Sequence, residues 1–157
     1  MKSIHDWLSA YGASHQNPTN KFIHWLCVPA ITFTLLGLLS LVNYEFSING
    51  GSYNINLAGI LFVIAIIFYS RLSLSITIGM FLSTGLCISY INKLENTFGQ
   101  PILIKYYLII FIVAWIGQFI GHKIEGKKPS FFQDIQFLLI GPAWLLSFIY
   151  KKLNIPI

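Results

Sequence analysis

The chain has 157 residues, of which 55% are hydrophobic and 16% are aromatic. Only 10% are charged, against about 25% in soluble proteins, and the mean hydropathy is +0.70. This composition excludes an ordinary water-soluble domain. It predicts a single integral membrane domain over residues 1–157. The net charge of +5 comes mostly from lysines at the ends of apolar runs, which indicates contact with anionic membrane lipids and not with nucleic acid.

The first element is a short amphipathic helix. Ser3 is a suitable N-cap, and Ile4, Trp7, Leu8 and Tyr11 then form an apolar stripe at helical spacing. We expect this helix to lie at the membrane interface. The segment lacks the continuous apolar centre and cleavage site of a signal peptide, so we expect it to remain in the mature protein.

Five apolar runs follow, and four of them are long enough to span a bilayer at about 20 residues per crossing. The run at 57–70 is marginal, and we expect it to form a helical hairpin with the next run, separated from it by Arg71. The predicted fold class is an all-α, multi-pass membrane protein with about four to five membrane helices after the short interfacial helix. The segment 44–56 is predicted to be a turn-rich loop. The five runs are 22–43, 57–70, 72–92, 102–121 and 130–150.

The last run is interrupted by Gly141 and Pro142. A full crossing would separate Lys151 and Lys152 from the other lysine-rich segments. We therefore expect the helix to break at this point and to turn back or lie along the interface, with the C-terminus on the cytoplasmic side.

Three histidines lie at the ends of apolar runs, where the chain enters or leaves the membrane. Because a hairpin returns the chain to its starting side, the first and fourth runs place His24 and His122 on the same face. The loop 44–56 carries Glu45 but no Lys or Arg, whereas basic residues accompany the histidine segments. By the positive-inside rule, the histidine face is predicted to be cytoplasmic. These basic residues are Lys2, Lys21, Arg71, Lys123, Lys127 and Lys128.

A tight corner is predicted between His15 and His24. Pro18 disfavours helix at Asn17, and Asn20 is a candidate N-cap for a helix that starts at Lys21. His24 would then lie in the first turn of the membrane helix, and His15 just before the break. The two imidazoles would converge across the corner.

Imidazole is costly in hydrocarbon and is a good metal ligand, so these histidines predict a metal site. The alternative is that the histidines only form hydrogen bonds to backbone carbonyls at the membrane interface, and that Glu125 forms a salt bridge with a lysine. A site with histidine ligands and open coordination positions suits a non-haem iron, and the same ligands are also compatible with zinc. The candidate ligands are His15, His24 and His122, with Glu125 and His5 as further candidates; the candidate partners that orient the imidazoles are Tyr11, Asn17, Asn20 and Gln118.

Two motifs resemble a known family. One runs from Tyr11 through His15, Asn17-Pro18, Asn20 and His24 to Val28-Pro29, and the other contains Gln118-Phe119, Gly121-His122, Glu125 and Pro129. Together they are similar to the small multi-pass family typified by the yeast iron(II)-dependent 2-hydroxy fatty acid dioxygenase, and the resemblance covers nearly the whole chain.

The resemblance implies an Fe(II) enzyme of fatty acid α-oxidation that uses O2 to shorten a 2-hydroxy fatty acid by one carbon, releasing CO2. His15, His24 and His122 would then hold the iron. Glu125 follows His122 one residue sooner than in the fungal form, which leaves its role open. Eukaryotic relatives would lie in the endoplasmic reticulum and a bacterial protein in the inner membrane. Two alternatives stay open, a non-enzymatic transporter or assembly protein and a zinc-dependent membrane hydrolase.

Overall fold

The computed structural model describes residues 2–126 and 131–157, with side chains from residue 137 onward in the second range. Lys127, Lys128 and Pro129 lie outside the described residues. Within them the chain is helical apart from one β-hairpin. The elements in chain order are α1 (Ile4–Gly12), α2 (Pro18–Ser40), β1 (Asn43–Ile48), β2 (Gly51–Asn56), α3 (Leu57–Ser70), α4 (Leu74–Phe98), α5 (Gln100–Glu125) and α6 (Phe131–Lys152).

The first two helices are fixed by side-chain caps. Ser3 caps α1 as predicted, in a reciprocal capping box with Asp6. The expected cap of α2 at Asn20 is wrong: Asn17 is the N-cap and accepts from the backbone N–H groups of Thr19 and Asn20. The reason is Pro18, whose fixed φ suits the first helical position and whose missing N–H costs nothing there. His24 therefore lies in the second turn of α2, one turn after Asn20.

The segment predicted to be a loop is an antiparallel hairpin of β1 and β2, which makes the fold mostly helical rather than all-α. Asn49 and Gly50 form its turn, with φ of 50° and 79°. Positive φ at both positions favours an Asn-Gly pair in a two-residue hairpin turn. The rings of Phe46 and Tyr53 stack across the strands at 5.8 Å between centroids, which adds a cross-strand contact to the backbone ladder.

Within the described part of the chain, three helices are long and apolar enough to cross a membrane: α2, α4 and α5. The sequence had predicted four to five. Helix α3 has 14 residues and is therefore about 21 Å long, short of a hydrocarbon core of about 30 Å. It pairs with α4 as the predicted helical hairpin, through a short turn at Arg71.

Helices α2 and α5 run antiparallel and pack closely because glycines on one helix face larger side chains on the other. A β-carbon at Gly37 of α2 would lie 2.6 Å from the ring of Tyr107, and one at Gly117 of α5 would lie 2.6 Å from Cys27 Sγ. Small residues at such contacts allow two apolar helices to approach each other without a hydrophobic driving force. This contact brings the start of α2 beside the end of α5.

The predicted break at Gly141 and Pro142 is wrong, because α6 continues through both residues as one helix. The glycine makes room for a neighbour: a β-carbon at Gly141 would lie 3.1 Å from the hydroxyl oxygen of Tyr11. The Gly-Pro pair therefore marks a contact with α1 and not a turn.

Helix α6 contacts the other helices at the end of the bundle where the histidines lie. The Tyr69 hydroxyl, near the end of α3, donates to the Leu139 carbonyl. The Tyr150 hydroxyl donates to the Ser75 carbonyl at the start of α4, at 2.8 Å. With α1 packed against it, α6 forms a layer over this end, which we call the histidine end.

We expect Gly37→Ala to destabilise the folded protein by about 1–3 kcal/mol, because the added methyl group meets the Tyr107 ring and overpacks the α2–α5 contact. Gly85→Ala is the matched control, since a β-carbon at Gly85 of α4 would meet no atom within 4 Å; it should change stability by no more than about 1 kcal/mol. Reversible unfolding in mixed detergent measures both. Equal effects would contradict the close α2–α5 contact.

Candidate metal centre

The site begins at the corner between α1 and α2, where His15 is 2% exposed. Its Nδ1 lies 2.6 Å from the carbonyl oxygen of Tyr11. A carbonyl only accepts hydrogen bonds, so Nδ1 must carry the proton, and Nε2 of the neutral ring is left with a free lone pair. The stacked ring of Tyr11, 4.1 Å away and inclined by 9°, holds the imidazole in place.

His24 on α2 repeats this arrangement and is completely buried. Its Nδ1 lies 3.0 Å from the carbonyl oxygen of Asn20, one turn earlier. By the same argument Nδ1 donates and Nε2 is the unprotonated nitrogen. Thus two segments of the chain each present an imidazole Nε2 that can accept but cannot donate.

His122, in the last turn of α5, completes a cluster of three imidazoles. Ring centroids are separated by 4.2 Å for His15 and His24, 5.3 Å for His15 and His122, and 5.0 Å for His24 and His122. One ring nitrogen of each lies within 4.8 Å of the others, a spacing at which all three can hold one metal ion. The three histidines predicted to share a face are therefore in contact.

Three buried acceptor atoms at this site have no hydrogen-bond partner among the described residues: Nε2 of His15, Nε2 of His24 and Oδ1 of Asn20. Buried polar atoms are nearly always satisfied, and leaving one unpaired costs about 1–3 kcal/mol. A cation, or a donor bound to one, would satisfy all three. The donor set thus fits a metal ion.

The electrostatic setting keeps His15 ready to bind a metal. Burial away from water lowers the pKa of His15 to about 4, and the neighbouring His122 lowers it further, against an opposing contribution from the bond to Tyr11. His15 is therefore neutral near pH 7. Only a neutral imidazole offers a lone pair to a metal, so no proton has to be displaced from this ring.

The carboxylate of Glu125 contacts the α1–α2 corner. Oε1 accepts from the Gln16 backbone N–H at 2.7 Å, and Oε2 accepts from the Asn17 backbone N–H at 2.9 Å and from Asn20 Nδ2 at 3.0 Å. Among the described residues, the group of potential ligands contains the three histidines and not this carboxylate.

The other predicted residues occupy distinct places. His5 is exposed on α1 and is not part of the histidine cluster. Tyr11 contributes its carbonyl and ring to His15, and Asn17 and Asn20 shape the start of α2. Gln118 is buried on α5, one turn before His122.

Sequence reasoning missed the aromatic residues that α6 brings to the site. The Trp144 ring lies 5.3 Å from that of His15 and 5.2 Å from that of Tyr11, and Phe137 meets Tyr11 edge-on at 5.3 Å. These apolar rings exclude water beside the imidazoles. The only signal in the sequence was the position of Trp144, shortly after Gly141-Pro142. This position does not predict contact with His15 or Tyr11, because an aromatic residue in an apolar run can pack against any neighbouring helix.

Comparisons with known proteins identify the family of the chain. The model of the family described as 2-hydroxy-palmitic acid dioxygenase Mpo1-like matches residues 1–153, which include all three histidines. The 2-hydroxy-palmitic acid dioxygenase MPO1 of Saccharomyces cerevisiae is 29% identical over 158 residues, covering 96% of this chain and 82% of the yeast protein. No solved structure gives a significant match. The resemblance carried by the two motifs is confirmed, and the chain belongs to the Mpo1-like family.

Proposed function

We propose that this protein is an iron(II)-dependent dioxygenase that shortens a 2-hydroxy fatty acid by one carbon. The reaction is R–CH(OH)–COOH + O2 → R–COOH + CO2 + H2O, in which the carboxyl carbon is lost as CO2. The observation that carries the proposal is the cluster of three histidines, of which His15 and His24 are buried and have unprotonated, unpaired Nε2 atoms. The substrate class is taken from the name of the yeast relative.

In this proposal His15, His24 and His122 hold the metal, each through one ring nitrogen. Three protein ligands leave open positions, as oxygen-using iron sites require, and iron(II) would supply the activation of O2. Imidazole ligands also suit zinc, so a zinc-dependent hydrolase is the second candidate, and metal analysis distinguishes the two.

The chain itself would prepare the site for a carboxylic acid with a neighbouring hydroxyl group. The bonds from Nδ1 to backbone carbonyls fix which nitrogen of His15 and His24 faces the cluster. Trp144 and Tyr11 exclude bulk water from His15. Asn20 Oδ1 is available to accept a hydrogen bond from a hydroxyl group or water bound beside His24.

We further propose a multi-pass membrane protein whose histidine end faces the cytoplasm, or the cytoplasmic side of the inner membrane in a bacterium. The described basic residues support this orientation by the positive-inside rule, since six lie at the histidine end and two at the opposite end. The acyl chain of the substrate would lie among the apolar helices. The six are Lys2, Lys21, Arg71, Lys123, Lys151 and Lys152; the two are Lys93 and Lys105.

We expect the protein purified without oxygen to bind about one iron(II), and His24→Ala to reduce iron affinity by at least tenfold, because it removes a ligand from a buried cluster. His5→Ala is the matched control: His5 is exposed and outside the cluster, so iron binding should not change. Elemental analysis and metal titration measure both.

Four results would count against the iron site. Iron retained by His24→Ala, or lost equally in His5→Ala, would show that the cluster is not the site. Stoichiometric zinc that iron cannot replace would favour the hydrolase. Absence of any bound metal would favour a non-enzymatic protein.

Iron-loaded protein supplied with 2-hydroxyhexadecanoic acid should consume O2 and release pentadecanoic acid and CO2 in equal amounts. Hexadecanoic acid, which lacks the hydroxyl group, is the control and should not react. An oxygen electrode and mass spectrometry of the fatty acids measure the products. Lack of turnover by protein shown to be folded and iron-loaded would contradict this substrate but not the metal site.

A further inference from the structure

We propose that Glu125 is a positioning residue: its carboxylate holds together the three chain segments that carry the histidines and is not itself bound to the metal. This role rests on the metal site proposed above. It assigns a function to a carboxylate whose position in the sequence alone makes it look like a fourth ligand.

The first connection is to the segment of His15. The backbone N–H groups of Gln16 and Asn17, the two residues that follow His15, donate to Glu125 Oε1 and Oε2 at 2.7 and 2.9 Å. Hydrogen bonds to an ionised acceptor are roughly twice as strong as neutral ones. They fix the corner from which the His15 side chain extends.

The second connection is to His24, through Asn20. Asn20 Nδ2 donates to Glu125 Oε2 at 3.0 Å and to the Ser14 carbonyl at 3.3 Å. The backbone carbonyl of the same residue accepts from His24 Nδ1. Glu125 thereby restrains the turn of α2 that orients His24.

The third connection is covalent, because Glu125 follows His122 by three residues on α5. One carboxylate at the end of α5 is thus linked to every histidine-bearing segment. Partners that orient metal ligands in this way typically change metal affinity 10–100-fold when they are removed.

The engagement of the carboxylate argues against direct ligation. Both oxygens accept hydrogen bonds: Oε1 accepts one N–H group and Oε2 accepts two. Oε2 could bind a metal only by giving up one of its two donors, which would loosen the start of α2. Oε1 keeps one lone pair, but Glu125 is not in the group of potential ligand atoms that the three histidines form. The three N–H donors also require two acceptor oxygens, which the carboxylate of a glutamate provides. A glutamine has the same shape but would place its NH2 group against one of these N–H donors.

The test uses Glu125→Gln, which keeps the shape and loses one acceptor, and Glu125→Asp, which keeps both oxygens on a shorter arm. Glu45→Gln is the matched control, because it removes the same charge at an exposed position of β1 in the hairpin. Cobalt(II) replaces iron(II) as the probe, since its visible absorption bands report the ligand arrangement without enzyme turnover.

We expect Glu125→Gln to bind one cobalt(II) at saturation with an affinity lowered about 10–100-fold, and with shifted absorption bands. Glu125→Asp should lie between this variant and the wild type, and it serves as the test if Glu125→Gln does not fold. Glu45→Gln should match the wild type in both measurements.

Two results would overturn the role of Glu125 alone. Unchanged affinity and bands with only a lowered melting temperature would make it a general structural residue. A carboxylate infrared band that shifts when the wild type binds metal, and that is absent from Glu125→Gln, would make it a ligand. A wild-type protein that binds no cobalt(II) would instead overturn the proposed metal site, and this role with it.

Discussion

The close contact between α2 and α5 is the constraint on which the site depends. Gly37 and Gly117 let the two helices approach along their length, each beside a larger side chain of the partner. Near the histidines, Gly121 of α5 leaves room for the side chain of Asn20 on α2. A β-carbon at Gly121 would collide with Oδ1 of Asn20. His24 and His122 therefore meet at one end of a single helix pair, where Glu125 also reaches the preceding corner.

The site combines burial with an incomplete set of hydrogen bonds. Each of His15 and His24 uses its Nδ1–H on a carbonyl four residues earlier in the chain. This satisfies the only donor of a neutral imidazole and leaves the acceptor nitrogen buried from solvent and without a hydrogen-bond partner among the described residues. Such an arrangement is unfavourable without a cation and favourable with one, so the fold and the metal would stabilise each other.

The two ends of the bundle differ in construction. One end has the short β-hairpin with its Asn-Gly turn. The other has a layer of α1 and α6, whose aromatic side chains lie against the imidazoles. The proposed substrate, with a polar head and a long apolar chain, would suit this layout, because the histidine cluster and the apolar helices are adjacent but separate.

The sequence by itself determined most of the helices and the Ser3 cap, because caps and apolar periodicity are local properties. It also determined the shared end of His24 and His122, because the hairpin of α3 and α4 returns the chain to the same side. The hairpin of β1 and β2 was predicted to be a loop, because the Asn49-Gly50 pair by itself indicated only a turn and not the centre of two paired strands. Only the tertiary structure decided the place of α6, since the composition of an apolar run does not show which other helices it packs against. It also decided the contacts of Glu125, whose partners are 105 to 109 residues away. Spacing along a helix shows which side chains share a face, but the packing of distant segments selects what that face touches.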